Sequence, residues 1–372
     1  MPDAAPSPID ALLARLAELD GSDLFLTVGA PPMASVSKRM VPLMERPLTR
    51  ADLEKAAGPF LAAGDRAARF AARPELDIAH VLPGKGRFRL SVFKQRGEVA
   101  IVARRVKLEV PTIEQLGLPP VLSRMALERK GLILVTGATG SGKSSTLAAM
   151  IDHRNRSSPG HILTIEDPIE FVHEHRASIV SQREVGVDTA TFPDALRSAL
   201  RQAPDVILVG EIRDRETASA ALELAETGHL ALATLHSVNA AQALDRVANL
   251  FPPEVRPAAH MLLSLNLTGI VSQRLVPSRS GGRVAALEVL VPTPRVRDLV
   301  RDGDIGAIRD AMSQGGADGM QTFDDSLYRL VKERRLTLEE ALPFAESASD
   351  LRLRFTREGA GGATGDGIRV AR

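Results

Sequence analysis

A short apolar run, Leu132-Ile-Leu-Val135, leads into Gly137-Ala138-Thr139-Gly140-Ser141-Gly142-Lys143-Ser144 and then a helical pattern through Leu147 and Met150; no other stretch constrains the chain as much. The octapeptide has the form G-x-x-x-x-G-K-S, and its flanks supply the strand before it and the helix after it that this motif requires. Glycines let the backbone curl until successive N–H groups point at one anion, and the start of the next helix adds the positive end of its dipole. Lys143 is placed to reach the β- and γ-phosphates of a nucleotide, and the Ser144 hydroxyl to ligate Mg²⁺. Residues Gly137 to Ser145 are therefore expected to cradle a nucleotide, although the loop alone does not choose between ATP and GTP.

Three more apolar runs follow, Ile162 to Ile165, Val206 to Val209 and Leu230 to Ala233, with helical segments between them. Short, nearly continuous runs of this kind are how buried parallel strands of an α/β sheet read. Hydrolysis needs an acid on the metal side and a base for the attacking water. Val206-Ile-Leu-Val209 ends in Gly210-Glu211, which makes Glu211 the candidate for the Mg²⁺ shell. The run ending at Ile165 is followed by Glu166-Asp167-Pro168, and Glu166 is the general-base candidate. Each acid taken alone reads equally well as a solvated strand end or a helix cap; together with the loop they mark the carboxyl edge of the sheet, where ligands of open α/β sheets bind.

With 372 residues, 44% of them hydrophobic, the chain can hold two domains. Helical spacing from Ser7 to Asp20 and from Leu53 to Ala72, with β-patterns at Asp23 to Val28, Arg87 to Phe93 and Glu98 to Arg105, predicts an α+β domain over residues 1–110. Pro111, Gly117, Pro119 and Pro120 place a linker at 111–120 within the wider stretch from Lys107. The nucleotide domain then spans 121–357, with a helix-rich end from Thr293 to Ala345, and the Gly/Ala-rich stretch 358–372 is expected to be a disordered tail. Pro257 to Gln273 reads as a buried helix, too short and too interrupted by polar residues to cross a bilayer. No cysteine is present, which excludes disulfides and thiolate metal sites. Met1 to Asp10 lacks the basic start and apolar core of a secretory signal, so a cytoplasmic location is expected.

Four boxes in order carry a resemblance: Gly137 to Ser144; Thr164-Ile-Glu166-Asp167-Pro-Ile-Glu170-Phe; Asp205-Val-Ile-Leu-Val-Gly210-Glu211-Ile-Arg213; and Thr227-Gly-His229-Leu with Thr234-Leu-His236. They resemble the Walker A, Asp, Walker B and His boxes of the secretion and pilus ATPases. The similarity runs from Gly21-Ser-Asp-Leu-Phe to Gly319-Met-Gln-Thr-Phe-Asp324 and is strongest with the type IV pilus retraction ATPases of the PilT/PilU family. Within that family Ala138, the run Val180 to Gly186 and Ser347-Ala-Ser-Asp-Leu lie nearer the PilU branch.

The resemblance implies a RecA-like P-loop NTPase domain preceded by a smaller PAS-like α+β domain, ATP and Mg²⁺ as ligands, and a homo-hexameric ring. It implies that a neighbour's N-terminal domain supplies arginines to each site, at positions falling on Arg89 and Arg104, and that His236 senses the γ-phosphate. His229 either braces the sheet or joins it in sensing. Arg197 and Arg201, four apart on an expected helix, serve an ion pair, a subunit contact or catalysis. Implied partners are an inner-membrane pilus platform protein, through which alone the ring meets the membrane, and a paralogous retraction ATPase; whether the subunit retracts a pilus unaided stays open. Two rivals differ in kind. An assembly-type ATPase of pilus extension or type II secretion usually carries a four-cysteine zinc element, which this chain cannot build. A RecA-like nucleic-acid motor wants a basic, aromatic-lined groove, whereas the net charge here is +1 and aromatics are 3%.

Overall fold

The structure, a computed structural model, describes residues 7–37, 39–106, 109–279, 281–315 and 319–361. It divides into two compact units, Met1–Glu109 with Ile169–Val172, and Val110–Pro168 with His173–Arg372.

The first unit comprises α1 (Asp10–Glu18), β1 (Asp23–Leu26), β2 (Met33–Val36), β3 (Arg39–Pro42), α2 (Arg50–Leu61), α3 (Arg66–Ala72), β4 (Glu75–Leu82), β5 (Gly86–Gln95) and β6 (Glu98–Val106). Its strands form one antiparallel sheet in the order β3-β2-β1-β6-β5-β4. Alternate residues such as Leu24, Leu26, Ile78, Phe88, Leu90, Val92, Ile101 and Ala103 point to one face and are buried with Leu13, Leu16, Leu53 and Phe60 of the helices. The intervening positions include Asp23, Asp77, Arg89 and Arg104. Helix α2 starts where Thr49 accepts from the Asp52 N–H while the Asp52 carboxylate accepts from the Thr49 N–H, a reciprocal cap that fixes the boundary. The expected helical stretch from Leu53 to Ala72 is two helices, and β2, β3 and β4 lie outside the strands expected from sequence.

The second unit runs α4 (Val121–Ala126), β7 (Gly131–Thr136), α5 (Lys143–Ser157), β8 (Gly160–Glu166), β9 (Ser178–Glu184), α6 (Phe192–Ala199), β10 (Val206–Val209), α7 (Arg215–Glu226), β11 (Leu230–Leu235), α8 (Ala240–Asn249), α9 (Arg256–Asn266), β12 (Leu267–Pro277), β13 (Arg283–Leu290), α10 (Pro294–Asp302), α11 (Ile308–Gln314), α12 (Phe323–Lys332), α13 (Leu338–Ala341) and α14 (Ala348–Gly361). Its sheet has the order β13-β12-β7-β11-β10-β8-β9, parallel throughout except for β13. Every residue of β7, β10 and β11 is buried. Leu132 and Leu134 enter one core with α6 to α11, while Ile133 and Val135 enter another with α4 and α5. A strand covered on both sides has no polar face, which is why these segments read as unbroken apolar runs.

Two sequence expectations are corrected here. Pro257 to Gln273 is not one helix: α9 ends at Asn266, and β12 begins at Leu267 and pairs with β7 and β13. Thr268, Ile270 and Val271 favour a pleated strand, and burial on both faces removes the period that would have told strand from helix. Arg197 and Arg201 do not share a helix, because α6 stops at Ala199; Arg197 instead makes an exposed pair with Asp194. Of the stretch 358–372, residues 358–361 complete the backbone of α14, and 362–372 lie outside the described residues, as do Lys107 and Leu108 of the expected linker stretch.

Candidate functional site

Strand β7 delivers the glycine-rich loop and α5 receives it, with Gly142 as the helix N-cap in the left-handed region (φ 93°). Lys143 turns back over the loop and donates from Nζ to the carbonyl oxygens of Gly137 (2.8 Å) and Ala138 (3.1 Å). A Cβ on Gly137 would stand 2.5 Å from the Gln273 carbonyl oxygen, so the tight curl admits only glycine there. Ala138, Thr139 and Gly140 form the exposed crest, Ser144 and Ser145 lie half-buried in the first turn of α5, and Ser141 is buried.

The other candidates converge because four neighbouring parallel strands, β7, β11, β10 and β8, end at the same edge. Val209 sits opposite Ile165, and Gly210 N–H continues the pairing by donating to the Ile165 carbonyl (2.7 Å). A Cβ at Gly210 would lie 3.2 Å from the Glu166 Cα, so the two acidic strand ends are in close approach. Glu166 Oε1 accepts from the Thr164 hydroxyl (2.7 Å) and from Gln182 Nε2 on β9 (3.2 Å). Two donors on one oxygen fix the rotation of this carboxylate. On the other side of β10, Thr234 at the end of β11 bonds the Gly210 carbonyl, and Ile212 N–H donates to the Thr234 carbonyl (3.0 Å). This tie brings His236 Nε2 to 3.3 Å from Glu211 Oε1, while Arg213 meets Glu211 Oε2 at 2.7 Å.

Burial pushes the Glu211 carboxyl upward, but the Arg213 hydrogen bond and charge, with His236 and Lys143 adding to them, win and hold it below its ordinary value. Glu211 is therefore an anion across the neutral range, close enough to Lys143 to feel its charge. A metal cage of three or more His, Asp or Glu side chains is absent among the described residues. Mg²⁺ does not require one, since it keeps several waters and takes further oxygens from phosphates, needing one or two protein ligands. The hydroxyl of Ser144 and the carboxylate of Glu211 suit that role. Thr136 at the end of β7, Ser141 within the glycine loop and Ser237 just after β11 each bury a hydroxyl without a hydrogen-bond partner among the described residues; such orphans are what a polar ligand or its waters would satisfy.

His229 stands elsewhere. Its N–H donates to the Leu224 carbonyl (3.1 Å), its carbonyl accepts from Gly131 N–H (3.0 Å), and Nδ1 lies 3.2 Å from the Leu224 oxygen. That is the amino edge of the sheet, opposite the loop, a place that suits bracing. Arg89 and Arg104 belong to the first unit, where they face each other across β5 and β6. Arg89 pairs with Asp77 (2.9 Å) and Arg104 with Asp23 (2.7 Å), their side chains 35% and 74% exposed.

Sequence reasoning passed over Thr164, Gln182, Thr234 and Arg213 as site-forming residues. Thr164 lies two residues before Glu166 on one strand and so on the same face, a signal the period of two would have given. Gln182 reaches Glu166 only through the register of β8 with β9, Thr164 opposite Gln182, which no local pattern encodes.

Comparison with known proteins extends this geometry. A family model described as type II/IV secretion system protein matches residues 78–281. The type IV pilus ATPase PilU of Pseudomonas aeruginosa is 48% identical over 347 residues, covering 92% of this chain and 90% of the relative. The retraction ATPase PilT of the same organism is 44% identical over 334 residues, 90% of this chain and 96% of the relative. A crystal structure of the pilus retraction motor PilT with bound ADP superposes with a TM-score of 0.85 at 40% identity, over 93% of this chain and 99% of that one. The Legionella pneumophila ATPase DotB follows at 0.73 and 29%, over 92% of this chain and 97% of that one. With its glycine loop, its acids and its histidine at one sheet edge, the chain belongs to the type IV pilus retraction ATPases, the nucleotide-binding, ATP-hydrolysing PilT/PilU branch of the secretion ATPases.

Proposed function

We propose that the chain works as a homo-hexameric, Mg²⁺-dependent motor in which each site is completed by a neighbouring subunit. The observation that supports the hydrolytic site of this motor is the Glu211 carboxylate, held between His236 and Arg213 within the field of Lys143, one strand away from Glu166; the ring and its shared sites rest on family membership. Lys143 exchanges its two loop carbonyls for phosphate oxygens, and the residues 137–145 bind and orient the triphosphate. Glu166, steadied by Thr164 and Gln182, takes the proton of the attacking water. Mg²⁺, held by Ser144 and through the shell of Glu211, supplies charge neutralisation when bound. His236 reads the γ-phosphate through its contact with Glu211. Arg89 and Arg104 leave their carboxylate partners to meet the phosphates of an adjoining subunit; exposed ion pairs of this sort are worth about 0–1 kcal/mol and oppose the exchange little. A planar fork with permanent charge suits oxygens on which negative charge spreads.

The ring so formed acts on an inner-membrane pilus platform protein, alone or sharing the task with a paralogous retraction ATPase, and meets the membrane only through that partner. No helix of the described residues is long and apolar enough to cross a bilayer. The test has two arms. Purified protein is sized by light scattering with and without MgADP, and Glu166→Gln is assayed for turnover and ADP binding: the variant should keep binding and lose hydrolysis, in a particle of six chains. In a piliated host, deletion should leave surface pili in place and abolish twitching, with Lys143→Ala unable to restore it. A fully active monomer sinks the shared site, and loss of pili on deletion points to extension instead.

A further inference from the structure

Gln273, on β12, meets the phosphate loop from its buried side. The register places Ser272 opposite Thr136, so the residues that follow, Gln273 and Gly137, come together where β7 opens into the loop. The Gln273 carbonyl oxygen lies 2.5 Å from where a Cβ of Gly137 would stand, and its side-chain Nε2 lies 2.7 Å from the corresponding point on Gly142. Thus one residue is packed against both the first and the sixth positions of the loop. The side chain is 4% exposed, and its Oε1 accepts from the hydroxyl of Thr146, a fully buried residue of the first turn of α5, at 2.7 Å. Thr146 N–H in turn donates to the Gly142 carbonyl (3.1 Å).

The amide carries its carbonyl end to the Thr146 hydroxyl and its amino end to Gly142, the N-cap of the helix on which a phosphate would sit. We propose that Gln273 is a positioning residue for the nucleotide, its keyed amide holding Gly137 and Gly142 at the spacing that aims the loop N–H groups inward. It acts through the loop residues that it packs against. The inference rests on the loop's being the nucleotide site.

Comparing variants separates positioning from mere packing. Gln273→Leu keeps the volume but leaves the Thr146 hydroxyl buried and unpaired, which destabilises; adding Thr146→Val removes both polar partners, an exchange that is close to neutral. The expected result is that the double variant regains the melting temperature lost by the single one, yet binds MgADP about tenfold more weakly than the unmodified protein, with KM for ATP raised more than kcat is lowered. Recovery of affinity together with melting temperature, or unchanged affinity in Gln273→Leu, would overturn the proposal. Gln273→Glu gives an independent route should the apolar variants fail to fold: it keeps the acceptor for Thr146 but puts an anion against Gly142, and undiminished MgADP affinity there would overturn it equally. If the unmodified protein binds no ADP, the nucleotide reading itself falls, a result distinct from any difference among variants.

Discussion

The two sheets of this protein solve opposite problems. In the first unit an antiparallel sheet buries one face against α1, α2 and α3 and leaves on the other a row of paired charges, Arg89 with Asp77 and Arg104 with Asp23. In the second unit a parallel sheet is covered on both faces by separate cores, so its chemistry is confined to the carboxyl edge, where four adjacent strands release Gly137, Glu166, Glu211 and His236. One sheet displays residues along its strands; the other displays them only at its ends. A site at strand ends inherits the rigidity of a double core, whereas side chains on an open face can change partners at small cost.

The largest effects that test this contrast are in turnover. Lys143→Ala removes the side chain that closes over the loop and is proposed to meet the phosphates, and hydrolysis should fall by about 10³-fold or more with the melting temperature within a few degrees of the parent. Next come the charges of the open face. Arg89→Ala and Arg104→Ala should each lower turnover about 10³-fold, the lower end of what trans-acting arginines supply, with stability changed by less than about 1 kcal/mol. Mixing Arg104→Ala subunits with Lys143→Ala subunits sharpens the point: if the two sheets serve one site across a seam, the mixture regains part of the activity that neither has alone. No regain at any ratio means that the open face serves something else.

How readable each sheet was follows from the same contrast. Val206–Val209 could be read residue for residue as β10, because burial on both sides left an apolar run bounded by Asp205 and Gly210. Double burial also misled: at Pro257 to Gln273 it hid the join between α9 and β12, since an apolar run without a period does not distinguish helix from strand. On the open sheet β5 and β6 were legible by alternation, but β2 and β3 are four-residue strands with little burial to pattern them. The candidate acids were legible as carboxylates following apolar runs. The residues behind the site were not, since Gln182 meets Glu166 and Gln273 meets the glycine loop through strand register, and register is decided by contacts between segments distant in sequence.

Stability should divide the two sheets in the same way. Leu232→Ala, in the centre of β11 and 1% exposed, creates a cavity in the core shared with α4 and α5 and should cost about 2–5 kcal/mol in a denaturant titration. Val81→Ala on β4, 63% exposed, should stay within about 0.5 kcal/mol. Equal costs would mean that the open face is covered in solution, and the contrast would need redrawing.

The last prediction concerns pH and rests on where each unit keeps its perturbed groups. In the first unit the perturbed carboxyls sit at the surface; Asp52, for example, is held down to about 2 by the Thr49 backbone and hydroxyl and by Arg46. The second unit has surface cases too, such as Asp194, but adds buried ones. Burial pushes the Glu288 carboxyl, 4% exposed, up to about 7 against the opposing bonds from Ala240 N–H and the Ser272 hydroxyl, and burial holds the His173 imidazole, 8% exposed, down to about 4. Between pH 4.5 and 7 folded Glu288 keeps a proton that the unfolded chain releases, so its contribution falls as pH rises; between pH 4 and 6.5 unfolded His173 binds a proton that the folded chain refuses, so its contribution grows as pH rises. Each shift corresponds to about 3 kcal/mol, and the signs oppose over nearly the same window. The parent should therefore show little net slope from these two groups. Glu288→Gln, whose amide oxygen can still accept from Ala240 and Ser272, removes the falling term alone, and its stability relative to the parent should increase from pH 4.5 to 7. A constant difference between variant and parent across that range would mean that Glu288 ionises in the fold as it does in the unfolded chain.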